Sequence, residues 1–267
     1  MCSEYKTFLS FFFSLLLCSC SIKESRRDCP CHLYLDFSQV SREQFDSVQV
    51  LLDGARGGER RVPLSLTGLH QATLAVDVPR DHYQANVCAM ENGAFWLTDG
   101  QEEVMEIPRG EECPPLYLHS ARLEATGDEY VETVVLHKNF CTLHIRMEGN
   151  DPSQAYPFTL RIRGGINGYD RLGRPCPGDF CAPVYPTADG RCSVRVPRQT
   201  DDSLQLQLME DGRSLVSFAI GEYIRSGGYD WTAPDLADVF LRIDCAALSL
   251  QIKIDNWSET YYFNVEI

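Results

Sequence analysis

Twelve cysteines and six histidines are the side chains with most chemistry to offer. Three cysteines, Cys2, Cys18 and Cys20, lie in the first twenty residues; the others are Cys29, Cys31, Cys88, Cys113, Cys141, Cys176, Cys181, Cys192 and Cys245. Nine is an odd number, so a complete disulfide framework leaves one thiol over. A chain of this length also needs no such staples. Cys29-Pro30-Cys31 and the pair Cys176 and Cys181 have a superficial look of metal or redox sites, yet neither is joined to a second pair at zinc spacing, and neither has the two-residue gap of a thioredoxin-like motif. A local Cys176 to Cys181 bridge stays open, and the remaining thiols read as small buried hydrophobes. The histidines, His32, His70, His82, His119, His137 and His144, form no pair at metal-binding spacing and no zincin pattern, and no Gly-x-Ser-x-Gly elbow occurs. Glu102-Glu103, Glu111-Glu112 and Asp201-Asp202 could supply paired carboxylates for glycoside chemistry, though such doublets ordinarily sit in solvated loops. Gly164-Gly165-Ile166-Asn167-Gly168-Tyr169-Asp170 has the glycine density of a phosphate-cradling loop, but without the Lys-Ser/Thr and following helix it is expected to be a turn. The sequence thus predicts no catalytic residue, no metal site and no cofactor: not an enzyme.

Cys20 is different, because its neighbours give the thiol a specific fate. Phe8 to Leu17 is a ten-residue run of Phe, Leu and Ser after a weakly positive start with Lys6. A membrane-spanning helix needs roughly twenty residues, so the run reads as a signal-peptide core. Leu17-Cys18-Ser19-Cys20 follows. This resembles the lipobox of bacterial lipoproteins, with a branched apolar residue at −3 and a small one at −1, and it predicts cleavage between Ser19 and Cys20 and lipidation of Cys20. Cys18 is excluded by bulky Leu17 at its −1 position. Several acyl chains on one residue hold a protein stably to a membrane, since each buried methylene contributes about 0.8 kcal/mol. Residues 20–29 are then a polar, lipidated tether and residues 1–19 a signal peptide.

Bulk composition narrows the partners. A formal charge of −14 with no compensating basic cluster makes nucleic acid a poor partner. Hydrophobic and charged contents of 44% and 23% are those of a folded protein, and 267 residues suffice for two cores.

Period-two alternation dominates after the tether, and no long 3.6-residue period occurs, so the chain is expected to be nearly all β. Leu33, Leu35 and Phe37 alternate with polar residues, as do Leu143, Ile145 and Met147. Adding 110 to positions 31, 33, 35, 37, 48, 50 and 52 gives 141, 143, 145, 147, 158, 160 and 162, cysteine on cysteine and apolar on apolar. Farther on, Val76-Asp77-Val78-Pro79-Arg80 answers Val194-Arg195-Val196-Pro197-Arg198, and Met90-Glu91-Asn92-Gly93 answers Met209-Glu210-Asp211-Gly212, the offset having grown to 118 or 119. An insertion between Gly164 and Pro186 explains the drift at low cost. Two copies of one β-sandwich follow, 30–138 and 139–267, because a strand with one apolar face must lay it on a second sheet. Asn92-Gly93 and Asp211-Gly212 predict hairpin tips, where φ above zero is needed.

Taken together, the lipobox at Cys20, Asp28-Cys29-Pro30-Cys31-His32-Leu33-Tyr34-Leu35-Asp36-Phe37, Pro114-Pro115-Leu116-Tyr117, Gly165-Ile166-Asn167-Gly168-Tyr169-Asp170, Tyr229-Asp230-Trp231, Leu236-Ala237-Asp238-Val239 and Ile254-Asp255-Asn256-Trp257 resemble the FimB/Mfa-type fimbrial anchor lipoproteins of Bacteroidetes type V pili, over nearly the whole chain. That resemblance implies an all-β protein of two tandem transthyretin-like Greek-key β-sandwiches after a lipoprotein signal peptide. It implies a protein lipid-anchored in the outer membrane, at the cell surface, with fimbrial stalk subunits as partners and no small-molecule cofactor. In such pili a terminal strand of one subunit fills a groove in another. Here Tyr261, Phe263, Val265 and Ile267 alternate with Tyr262, Asn264 and Glu266, giving a strand with one adhesive face that could serve as the donor, or could equally close the protein's own sheet. The competing reading is a surface glycan-binding lipoprotein, which would need exposed aromatic platforms among Trp96, Trp231 and Trp257.

Overall fold

The computed structural model describes residues 29–56, 58–90, 104–148, 158–170, 172–244, 249–255 and 260–265. Ser19, Cys20, Ile267, the Asn92-Gly93 turn, Trp96 and Trp257 lie outside them. Nearly all the described structure is β, as the alternation predicts.

The first half holds β1 (Cys31–Asp36), β2 (Ser47–Gly54), β3 (Gly58–Ser65), β4 (Thr73–Val78), β5 (Asp81–Met90), β6 (Val104–Glu106), β7 (Leu116–Ala125), β8 (Glu129–Thr133) and β9 (His137–Lys138). The second holds β10 (Phe140–Glu148), β11 (Thr159–Asp170), β12 (Pro175–Val184), β13 (Arg191–Pro197), β14 (Gln205–Glu210), β15 (Arg213–Phe218), the helix α1 (Ile220–Ser226), β16 (Val239–Asp244), β17 (Ser249–Asp255) and β18 (Thr260–Val265). Sheets β4-β1-β8 and β3-β2-β5-β7-β9 face each other across one core, and β13-β10-β16-β17-β18 and β12-β11-β14-β15 across another.

The repeat in the sequence is a repeat in the pairing. β1 lies antiparallel to β4 and parallel to β8, and β10 lies antiparallel to β13 and parallel to β16. Even the register agrees: Cys31 opposes Val78 and Leu33 opposes Val76, while Cys141 opposes Val196 and Leu143 opposes Val194. In the facing sheets β2 takes β3 and β5 as neighbours, as β11 takes β12 and β14. Because side chains alternate with period two, Cys31, Leu33 and Leu35 all point into the first core and Cys141, Leu143 and Ile145 into the second, all fully buried or nearly so. Truncating any of these leucines to alanine is expected to cost about 2–5 kcal/mol.

One expectation is corrected. The glycine-rich run Gly164 to Asp170 is not a turn: it is the outer half of β11, a twelve-residue strand. Main-chain bonding to two neighbours holds it extended where side chains give no pattern. The insertion within 164–186 is thus a lengthened β11-β12 hairpin. The Asp211-Gly212 tip does form, with φ of 48° and 79° between β14 and β15. One short helix, α1, carries Ile220 and Ile224 into the second core, and its seven residues are too few for a 3.6-residue period to show in the sequence.

Candidate assembly interface

What the lengthened hairpin does is join the halves. β6, from the first half, pairs antiparallel with the outer part of β11, Gly168 opposite Glu106 and Tyr169 opposite Met105. Ile107 N donates to Asn167 O at 2.7 Å and Asn167 Nδ2 to Glu106 Oε1 at 3.1 Å. A Cβ on Gly168 would lie 2.1 Å from the Met105 carbonyl oxygen, so only glycine lets the two backbones approach. Ile107, Cys113, Leu116 and Met90 bury themselves in the second core although they belong to the first half of the chain.

Further ties cross the same seam. Arg195 Nε donates to Cys113 O at 2.9 Å, its guanidinium also meets Glu112, and Cys113 N donates to Arg195 O at 3.0 Å. The connecting segment is held by the loop before β16. Lys138 N donates to Asp235 Oδ1 at 2.8 Å, His137 Nδ1 meets Asp235 Oδ2 at 2.8 Å, and Leu236 N donates to Lys138 O at 3.0 Å. Asp238 accepts from Lys138 Nζ at 2.5 Å and from Thr142 N at 2.8 Å. Burial alone would raise the Asp238 carboxyl, but these donors outweigh it and hold it below the usual carboxylate range. An open cleft of about 410 Å³ lies in the seam, lined among others by Glu112, Tyr117, Lys138, Phe140, Thr142 and Arg195.

The arginines of the repeated Val-x-Val-Pro-Arg motif share one task. Arg80 pairs with Asp128, just before β8. Arg198 donates to the carbonyls of Trp231, Ala233 (2.9 Å) and Pro234 (3.2 Å), just before β16, and its Nε to Asn139 Oδ1 at 2.5 Å. Each fixes the approach to the strand that runs parallel to the first strand of its half.

Among the described residues, none of those singled out in the sequence gathers into a reaction centre. Cys29, Cys31, Cys176, Cys181 and the other described cysteines are free thiols, so Cys176 and Cys181 are not bridged. Burial pushes the Cys141 thiol up to about 12, so it is a packing group rather than a nucleophile. Glu112 is taken by Arg195, Asp202 by Arg225 at 2.6 Å, and Asp201 accepts from the Ser203 hydroxyl at 2.5 Å. His119 is buried, its Nε2 3.2 Å from Glu132 Oε1. Trp231 is half-buried, edge-on to Tyr229 at 4.7 Å, and so is a packing residue rather than an open platform.

At the far end of the chain β16, β17 and β18 make an antiparallel meander. Phe263 opposes Ile252 and Tyr261 opposes Ile254. The proposed donor strand therefore rests on its own sheet, and among the described residues it is paired along one edge only. The seam left no signal in the sequence, because Glu106 is about sixty residues from Asn167 and Gly168 and the two segments are joined largely through main chain. The second Val-x-Val-Pro-Arg was the one available signal for Arg198.

No family model matches this sequence, and no curated protein matches it significantly. Solved structures do match. Its fold is that of several solved structures from Bacteroidetes: a candidate polysaccharide-binding protein from Bacteroides thetaiotaomicron superposes with a TM-score of 0.62 at 14% identity, over 87% of this chain and 98% of that one. A candidate adhesin from Bacteroides ovatus gives 0.58 at 13%, over 88% and 95%. The particular fold is also that of the fimbrial anchor protein Mfa2 from Porphyromonas gingivalis, with a TM-score of 0.54 at 13% identity, over 87% of this chain and the whole of Mfa2. At such identities the likeness establishes a shared fold.

Proposed function

We propose that this chain is a fimbrial anchor or accessory subunit of the FimB/Mfa type, attached by lipid on Cys20 to the outer membrane at the cell surface. It takes part in fimbrial assembly by donating its last strand. Its sandwiches, 30–138 and 139–267, are read as transthyretin-like Greek keys, and its partners are the outer membrane and fimbrial stalk subunits. The observation that carries the reading is the fold shared with Mfa2 along its whole length, combined with the position of β18 at the edge of its sheet among the described residues. An edge strand is the one strand a sheet can release while keeping every other ladder intact, and an alternating strand finds register in a partner through side-chain pockets. A sturdy seam between the halves suits a protein that passes tension from a fibre to a membrane.

A second reading has one observation in its favour: the Bacteroides thetaiotaomicron neighbour is described as a candidate polysaccharide-binding protein. Trp231 speaks against it, since a half-buried indole packed on Tyr229 offers no open stacking face.

Deleting residues 260–267 in cells that assemble the fimbria separates the two. The anchor reading expects fibres shed into the medium while the truncated protein stays folded and membrane-bound. Retained fibres with lost binding to surface glycans would favour the second.

A further inference from the structure

The internal duplication provides its own control for every sheet edge. Among the described residues, β4 and β13 are edges in both halves, as are β3 and β12. One edge differs. β16 is covered by the antiparallel β17, whereas its counterpart β8 ends its sheet among the described residues.

The uncovered edge has a defined hydrogen-bonding face. His32 N donates to Asp128 O and Val134 N to Asp36 O, both at 2.8 Å. In a parallel ladder residues alternate in which neighbour they address, so the even-numbered residues of β8 bond β1, and Glu129, Val131 and Thr133 turn their N–H and C=O groups outward. All three are exposed, Val131 by 63%, an unusual figure for a strand valine. Unpaired main chain beside an exposed valine is a template for another strand.

We propose that β8 accepts one extended strand of a partner protein, running antiparallel, and continues its sheet as β17 continues β16. The second half shows the chemistry of the occupant. Leu33 opposite Tyr130 answers Leu143 opposite Val239, so Val131 answers Phe240. Opposite Phe240 stands Lys253, flanked by Ile252 and Ile254, which face Leu241 and Val239. The incoming strand carries a basic residue between two apolar ones, the basic residue standing opposite Val131 and diagonal to exposed Glu129. Glu132 stands where the second half has Leu241, and its contact with His119 keeps this edge from being a plain apolar strip that any strand could join. β1 remains in place throughout. The inference rests on the internal comparison and stands apart from the donation of β18.

The test is amide hydrogen exchange on the full chain with a peptide of the sequence of residues 249–255 as probe. In the free protein the amides of Glu129, Val131 and Thr133 exchange fast, and saturating peptide slows them at least tenfold. Val131→Pro abolishes that slowing with the melting temperature retained, because the lost N–H serves no internal ladder; Val131→Thr keeps it, and Glu129→Lys weakens the peptide several-fold. The proposal is overturned if these amides are already protected in the free monomer, the chain itself then covering the edge. It is equally overturned if protection rises with protein concentration alone, a second copy then being the occupant, if millimolar peptide gives none, or if Val131→Pro binds as the native protein does.

Discussion

The Tyr169 hydroxyl donates to the Asn139 carbonyl at 2.7 Å and accepts from the Arg198 backbone N–H at 2.8 Å, so one fully buried phenol ties the β11 strand, the connecting segment and the end of β13 together. Tyr169→Phe leaves a carbonyl and an N–H without a partner in the interior. Such groups cost about 1–3 kcal/mol each when unsatisfied. A urea titration should show a loss of that order, with no change in secondary structure.

Gly168→Val tests the pairing of β6 with β11. A side chain there meets the Met105 carbonyl oxygen, which is backbone and cannot swing aside. The β6 ladder should separate while both cores persist, and limited proteolysis should then cut within residues 104–113 several times faster than in the native protein.

Acid should loosen the seam. The folded-state carboxyls of Asp235 and Asp238 are held below their ordinary values: burial opposes ionisation, but the hydrogen bonds from His137 and Lys138 to Asp235, and from Lys138 and Thr142 to Asp238, prevail. A depressed carboxyl adds stability that is present above the unfolded pKa of about 4 and is lost as pH falls through the folded one. Stability measured by denaturant should therefore drop below about pH 4, and Asp238→Ala, costing about 2 kcal/mol near neutrality, should flatten that drop.

Cys141 gives the opposite slope. Its thiol is raised to about 12 by burial, so the neutral form is preferred on folding, and this contribution is complete below about pH 9 and disappears as pH rises toward 12. At pH 8 a thiol reagent should modify exposed Cys29 promptly and reach Cys141 only when the second core opens.

Much of this arrangement could be read from the residues. Cys31 with Cys141, and Val-x-Val-Pro-Arg with its repeat, matched β1 to β10 and β4 to β13, strands that take equivalent registers in the two halves, because buried faces impose a period that survives in side-chain identity. Asp211-Gly212 was legible because a positive φ restricts residue type. The run from Gly164 to Asp170 was not: strands made of glycine carry no alternation, and their partner, residues 104–106, is named only by main-chain geometry. β8 was equally silent, since Glu132 breaks its apolar face, and its kinship to β16 shows in pairing rather than in sequence.

The central claim is that β18 joins this protein to a fibre. A photo-crosslinking amino acid placed at Phe263, opposite Ile252 in the resting sheet, measures it directly in cells that assemble fimbriae. The account predicts a covalent adduct with a fimbrial stalk subunit, recovered in the membrane fraction and lost when Cys20→Ala removes the lipid. Crosslinks confined to the chain's own β17, in cells bearing intact fibres, would contradict it.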